Sequence, residues 1–470
     1  MKKILTLALA AMLLLSFVGC GGGNDTAATS SGETTVAASG NAASGTDASA
    51  EKKTITVAAP TGDFTKFATV MAEKFMADNP NVTVNVQEVL TNSGDLYSKL
   101  AMMMKSPETS PDVITEDGFM INADSAAGYL LSLDDRTGQW SDWSMIVDAL
   151  KEGVKGADGK IYGIPFTTDV QGIWYNKDLF TQAGISVPFE PRNWNDVLDA
   201  ARKLKALNKS ELIPLFIYAS KASPEETSMR TFQSLITGTG ASLYDFGSQK
   251  WVVDKANILK VLDFVNSVFN VDKVGEPMSL AAQTNVAATL QSDHMQKGKL
   301  GMYFSGSWES GAWSPTGNYP WPDAMNTWDF AKIPTSDGQD PQYTTMSGGW
   351  TWAIPNNAKD KDTAWQFLRF MMEKDSILEL ANNYGQLSVR TDVSKEDSYI
   401  NRAFSANRQS ADMLNYTHFR PSVDKYPSVS LLLTAAIESV ASGKITPDQA
   451  LTTYADSLRK LVGNENVIEK

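Results

Sequence analysis

The chain has 470 residues, with 41 Lys and Arg against 54 Asp and Glu, so its net charge is 41 − 54 = −13; with no basic block, this argues against nucleic acid as a partner. Its single cysteine, Cys20, excludes an intramolecular disulfide, and with only His294 and His418 beside it, zinc binding and histidine catalysis are poorly supplied. Apolar residues make up 42% and there are 12 tryptophans, enough for the ~420 residues beyond the N-terminal segment to build a large core, in two domains.

Lys2 and Lys3 precede an uncharged run, "ILTLALAAMLLLSFV", that ends at the small residue Gly19. A basic start, an apolar middle and a small residue before the cut form the plan of a signal peptide, over 1–19. The run is short of the roughly 20 apolar residues of a spanning helix, and no later stretch supplies them. Residues 17 to 20, "FVGC", resemble the lipobox of bacterial lipoproteins, with Phe17 in place of the usual Leu. That resemblance implies that Cys20 becomes residue one and is acylated, palmitate included, so that the protein is anchored on the extracytoplasmic face of the cell membrane. One acyl chain holds a membrane only marginally, and the lipoprotein modification supplies several. Between Gly21 and Ala50, 24 of 30 residues are Gly, Ala, Ser or Thr. Such a stretch cannot bury enough surface to repay its ordering entropy, so 20–52 reads as a lipidated cysteine and a disordered tether.

"TITVAAP" (Thr54–Pro60) alternates like a strand, and "DFTKFATVMAEKFMADNP" then places Phe64, Phe67, Ala68, Met71 and Phe75 on one helical face, stopped by Asn79 and Pro80. "NVTVNVQEV" alternates again, "GDLYSKLAMMMK" is helical, and "PDVIT" returns to strand. This order is the βαβ signature of a parallel sheet. Met102, Met103 and Met104 read as core filling. At the far end, "TPDQALTTYADSLRKLVG" opens with Thr446, Pro447 and Gln449 as a capping box, with Ala450, Leu451, Tyr454, Leu458 and Leu461 as its buried stripe.

Enzyme motifs are missing. Gly-Lys is never followed by Ser or Thr, so there is no phosphate-cradling P-loop, and no G-x-S-x-G, H-E-x-x-H or EF-hand loop occurs. A carboxylate pair able to cleave a glycoside stays open, because it needs only two acids at a suitable separation. What stands out is aromatic surface set among turn residues. "SGSWESGAWSPTGNYPWPDAMNTW" (Ser305–Trp328) holds four tryptophans, and "MSGGWTWAIP" places Trp350 beside two glycines. A pyranose stacks its C–H face on an indole and needs carboxylates and amides for its hydroxyls. Trp308 and Trp350 are the candidate ligand contacts, whereas Trp174, in a strand-like run, belongs to the core.

The stretch Asp158–Ile185, "DGKIYGIPFTTDVQGIWYNKDLFTQAGI", resembles the extracellular solute-binding proteins of sugar ABC transporters, the maltose-binding-protein-like family 1. The family pattern here is D-G-K-x-Y-G-x-P followed by Y-N-K-x-x-F-x-x-x-G. "YSKLAMMMKSPETSPDVI", "GYLLSLDD", "NWNDVLDAARKL", "KGKLGMYFSGSWE", "GGWTWAIP", "DTAWQFLRFMM" and "SGKITPDQAL" follow in the expected order, over nearly all of 53–463. One departure is Ser388, where the family commonly has Pro.

The resemblance implies an α/β, two-lobed periplasmic-binding-protein-like fold of type II. Each lobe is a mainly parallel sheet flanked by helices, with the ligand cleft at the hinge. Lobe one is expected over 53–165 and 328–372, lobe two over 166–327 and 373–470. Closure on a mono- or oligosaccharide would precede docking on a permease driven by a separate ATPase subunit. The protein would be a monomer without cofactor, metal or catalytic residues. Carried over residue by residue, the resemblance places sugar-hydroxyl acceptors at Asp63, Asp117 and Asp169, the aromatic platform at Trp308, and further contacts at Trp350 and Arg390. Glu116 replaces Asp117 if the register shifts by one. Two other readings stay open: the same fold with a non-sugar solute, and a secreted carbohydrate-active enzyme.

Overall fold

A computed structural model describes residues 51–470 except 91–94 and 403–404. The leader (1–19), Cys20 and all but the last two residues of the 20–52 tether lie outside the described residues. The strands of the two main sheets are, in chain order, β1 (Lys53–Pro60), β2 (Val82–Val89), β3 (Val113–Asp117), β4 (Ile164–Pro165), β5 (Gln171–Asn176), β6 (Ile213–Phe216), β7 (Leu300–Gly306), β8 (Trp328–Ala331) and β9 (Trp350–Ala353).

The first sheet has the order β2-β1-β3-β9-β4, with β1 parallel to β2 and β3, and β9 antiparallel to β3 and β4. The second has the order β8-β5-β7-β6, in which only β6 and β7 run parallel. The architecture is the expected two-lobed α/β one, and the strand pairing within it is mixed.

Helix α1 (Asp63–Asp78) lays Phe67, Ala68, Met71, Ala72 and Phe75 on the first sheet and ends at Asn79, as its spacing predicts. Helix α2 (Leu96–Met104) buries Leu96, Leu100 and Met104. Met102 is 64% exposed, whereas Met103 packs half-buried against the same core as Met104, so the methionine run fills core at its last two positions. The capping box at Thr446 and Gln449 forms at the start of the helix Pro447–Val462, although Leu451 and Leu461 are only half-buried there.

The lobes divide the chain differently from the expected boundaries. Strand β8 pairs with β5, and Phe330 on it packs 4.7 Å from the Trp174 ring, so residues 328–347 belong to the second lobe. Gly172 permits that contact: a Cβ there would meet the Phe330 ring at 2.5 Å. Conversely, the helix Lys374–Tyr384 and the residues to Tyr399 pack with Phe67 and Trp365 in the first core, so 373–400 stay with lobe one. The chain crosses between lobes at 166–170, at 348–349, and between Asp397–Ile400 and Asn407–Met413.

The lobes are shut on each other. Phe119, just after β3, lies within the second lobe's core, 5.3 Å from Tyr426. On the other side of the cleft, Lys66 Nζ of α1 donates to Asn318 Oδ1 of the second lobe at 2.7 Å.

Candidate functional site

Carboxyl ends of β1 and β3, two hinge crossings and the turn after β7 converge on a cavity of about 320 Å³ between the lobes, here called the front cavity. Asp63 opens α1 directly after Gly62, whose φ of 121° only glycine adopts without strain. Burial raises the Asp63 pKa, partly opposed by Lys66 one turn on, and its Oδ1 is buried without a partner.

Asp117 ends β3, where open α/β sheets bind ligands. It is heavily engaged: Arg420 donates from Nη2 to Oδ1 at 2.6 Å and from Nη1 to Oδ2 at 3.3 Å, and Tyr97 OH donates to Oδ2 at 3.1 Å. Arg420, from the second lobe, also reaches Glu225 Oε1 at 3.2 Å and lies 4.3 Å from the centre of the Phe119 ring. Glu225 accepts further from Tyr426 OH at 2.7 Å and Ser430 Oγ at 2.5 Å. The result is a buried Asp117–Arg420–Glu225 clasp across the lobes, satisfied on nearly every side. Strand alternation turns Glu116 away from the cavity, so the register favours Asp117. Glu116 meets Asp124 instead; burial, and then the acid beside it, raises the Glu116 pKa, while burial pushes Asp124 up to about 6 against the lowering effect of its hydrogen bond with Glu116.

Asp169 sits on the first crossing and accepts from Gln171 Nε2 at 3.3 Å. Its pKa is pushed up to about 6, because burial outweighs the nearby Arg420. Trp350 begins β9 directly opposite Asp117; it stacks on Tyr97 at 6.5 Å and meets Phe64 edge-on at 5.4 Å. Trp308 follows the last residue of β7, Gly306, and lies flat on it: a Cβ at Gly306 would sit 1.9 Å from the indole. The Arg230 guanidinium lies 4.8 Å from the Trp308 ring centre.

Five of the six expected positions, Asp63, Asp117, Asp169, Trp308 and Trp350, therefore line one cavity. Arg390 does not. It is 3% exposed, and its guanidinium is consumed by Asp142 at 2.9 Å, Asp392 at 2.8 and 3.0 Å and the Met372 carbonyl at 2.8 Å. It ties loops of lobe one together. Ser388, the departure nearby, donates its N–H to Tyr399 OH at 3.0 Å, a bond proline could not make. Trp313 and Trp328 are core residues as well, despite their Gly- and Pro-rich surroundings.

Sequence reasoning missed Glu226, Arg230, Arg420 and Tyr97. Glu226 and Arg230 stand four residues apart in a helical segment, the spacing that puts two side chains on one face. Glu226 Oε2 and Arg230 Nε are both buried without partners, while Arg230 Nη1 donates to Tyr218 OH at 3.1 Å and Ser305 Oγ at 3.3 Å. Arg420 gave no signal, since its acid lies 303 residues upstream. A second, rear cavity of about 680 Å³ lies across the crossings, lined by Leu150, Val154, Ile236, Leu243 and Met346, and shares Thr167, Gly349 and Arg420 with the front one. Among the described residues no cluster of His, Cys, Asp and Glu could hold a metal, and no helix is long and apolar enough to cross a membrane.

The sequence profile of the bacterial extracellular solute-binding proteins matches residues 58–376. The chain is a bacterial extracellular solute-binding protein. Its relatives include a binding protein of Brucella abortus, 24% identical over 391 residues that cover 81% of this chain and 86% of that one. The maltooligosaccharide ABC transporter solute-binding lipoprotein of Streptococcus pneumoniae is 21% identical, covering 69% of this chain and 72% of its own. Among solved structures, an ABC transporter solute-binding protein of Thermotoga lettingae bound to α-D-tagatose superposes with a TM-score of 0.75 at 21% identity, over 87% of this solute-binding protein and all of that one. The shared fold is the two-lobed one described above. Family and neighbours are binding proteins.

Proposed function

We propose that the protein is the lipid-anchored substrate-binding subunit of an ABC importer, capturing a carbohydrate between its lobes and delivering it to the permease. The observation that carries this reading is the pairing, in one interlobe cavity, of a partly exposed indole with buried polar atoms that have no protein partner: Asp63 Oδ1, Glu226 Oε2 and Arg230 Nε. An unpaired buried polar group costs about 1–3 kcal/mol. A polyol would satisfy acceptor and donor together while its C–H face packs on Trp308. Asp63, Asp169, Glu226, Arg230, Trp308 and Trp350 would contact the sugar. Asp117 would serve mainly through the clasp, as a lobe-to-lobe tie with its remaining acceptor capacity toward ligand.

Charge-assisted bonds contribute roughly 1.5–3 kcal/mol each, against roughly 1 for neutral ones. A few of these with one stacked ring, less the cost of association, give a dissociation constant on the order of micromolar. That strength suits capture followed by release. Sugars named for the relatives support the assignment: maltooligosaccharide in one and tagatose in another. The basic, apolar leader and the "FVGC" segment support cleavage before Cys20 and acylation there, with the Gly-, Ala-, Ser- and Thr-rich stretch as tether.

A thermal-shift screen of mono- and oligosaccharides tests the reading. At least one sugar raises the melting temperature, and the incubated glycan is recovered uncleaved. A shift with peptides, polyamines or metal ions and none with sugars would replace the ligand class, and cleavage would make the protein an enzyme. For the anchor, the Cys20→Ala precursor should leave the detergent phase that the wild type enters. Equal partitioning of the two would remove the lipid.

A further inference from the structure

Resting on the carbohydrate reading above, we infer that the front cavity is built for an uncharged sugar of one or two rings, and that it turns away both longer chains and sugars bearing a phosphate or carboxylate. Size comes first. At about 320 Å³ the cavity lies at the small end of ligand sites, which run roughly 300–1,000 Å³. Counted at roughly 30 Å³ per displaced water, it holds about ten waters, which one pyranose with its hydroxyls largely replaces and two exhaust.

Interlobe contacts stand at two edges of the cleft. On the Asp117 side, Arg420 joins Asp117 of lobe one to Glu225 of lobe two, with Tyr97 donating to the same Asp117. On the Asp63 side, Lys66 Nζ donates to Asn318 Oδ1 at 2.7 Å and to the Thr316 carbonyl at 3.4 Å. A linear chain leaving along either of these edges must break the contact there. The roomier rear cavity gives no extension, because Arg420 stands in the shared wall, packed so closely on Gly348 that a Cβ there would meet its Nη2 at 2.8 Å.

Charge comes second. Five carboxylates, Asp63, Asp117, Asp169, Glu225 and Glu226, line the cavity with two arginines, Arg230 and Arg420. Arg420 is committed to Asp117 and Glu225. Arg230 already faces Glu309 Oε1 at 3.8 Å and donates from Nη1 to Tyr218 and Ser305, while its Nε–H is buried without a partner. An incoming anion would therefore face five like charges, with Arg230 the one arginine not already paired with carboxylates of the cavity. A neutral polyol offers hydroxyl protons to Asp63 Oδ1 and Glu226 Oε2 and a lone pair to Arg230 Nε. The unpaired atoms match the neutral ligand in number and in sign.

Calorimetric titration of the purified protein with hexoses, pentitols, their disaccharides, linear tetrasaccharides, glucose 6-phosphate and galacturonate tests this. A monosaccharide or disaccharide should bind in the micromolar range, its tetrasaccharide homologue at least tenfold more weakly, and its anionic derivative at least 100-fold more weakly. A tetrasaccharide that binds as tightly as the short sugar, or an anionic derivative within tenfold of its neutral parent, overturns the size or charge assignment and leaves the carbohydrate reading standing. Binding of no saccharide of any length or charge overturns that reading as well. Glu226→Met supplies a second readout: it should weaken the short neutral sugar tenfold or more without lowering the melting temperature of the unliganded protein. Unchanged affinity in Glu226→Met removes that acid from the site.

Discussion

The front cavity, at about 320 Å³, has half the volume of the rear cavity at about 680 Å³, and the two share a wall of Thr167, Gly349 and Arg420. Around the rear one stand Leu150, Val154, Ile236, Leu243 and Met346, with few ionisable groups. Around the front one stand five carboxylates, two arginines and two indoles, with buried oxygens and a guanidinium N–H left unpaired. Apolar walls lose little when empty, whereas unpaired polar atoms carry a continuing desolvation cost that a ligand can remove. The smaller space is therefore the better candidate site. Among the described residues the rear cavity leaves only the hydroxyls of Thr417 and Ser422 unpaired, whereas the front one leaves atoms of two carboxylates and a guanidinium, so unsatisfied charge discriminates where volume misleads.

Arg420 in the shared wall offers the most forceful way to break this contrast. Arg420→Leu leaves Asp117 and Glu225 buried and uncompensated, and removing one partner of such an arrangement costs about 3–5 kcal/mol. Urea unfolding should show a loss of that order, partly restored by adding Asp117→Asn. A loss below about 1 kcal/mol would mean that the clasp does not hold the wall.

Asp124 separates a carboxyl that strains the fold from one that serves a ligand. Its pKa, raised to about 6 by burial against the lowering effect of its hydrogen bond with Glu116, is higher in the folded chain than in the unfolded one. The folded state thus keeps its full stability below about pH 4 and loses some as pH rises through about 6. Asp124→Asn should raise the melting temperature at pH 7.5, by on the order of 2 kcal/mol of stability, and the gain should vanish near pH 4. A gain independent of pH would contradict the assignment.

Trp308→Ala should weaken sugar binding tenfold or more, about 1.4 kcal/mol, with the unfolding midpoint unchanged. Phe246→Ala, at the rear cavity, should alter affinity less than twofold. If the two act alike in a fluorescence titration, the contrast between cavities collapses. The smallest effect concerns Asp169, pushed up to about 6 by burial. Affinity should hold at pH 7.5 and fall a few-fold toward pH 5 as this acceptor is protonated. The part of that decline centred near pH 6 should disappear in Asp169→Asn.

Periodicity made the first strand–helix–strand run legible, because Phe67, Ala68, Met71 and Phe75 recur at the helical spacing and do pack on one sheet. Strand ends and the carried-over motifs located Asp63, Asp117, Asp169, Trp308 and Trp350 around one cavity. Composition could not sort the tryptophans. Trp308, Trp313 and Trp328 have similar Gly- and Pro-rich neighbours, yet Trp174 buries against Trp313 at 5.0 Å and only Trp308 faces the cleft. Arg390 was misread for a related reason, since the Asp142 that consumes it lies 248 residues away. The lobe boundary at 328 failed because β8 chooses β5 as its neighbour over the nearer β9.

From the sequence by itself came the elements, the acidic and aromatic character of the site, the leader-like N-terminus and the expectation of two lobes. These depend on local periodicity and on which side chains exist, and both are written along the chain. Tertiary structure alone decided which acids stay unpaired, that Arg420 and Lys66 tie the lobes at separate edges of the cleft, and that Arg390 is structural. A hydrogen bond forms when atoms come within about 3 Å, and separation along the chain says nothing about that distance.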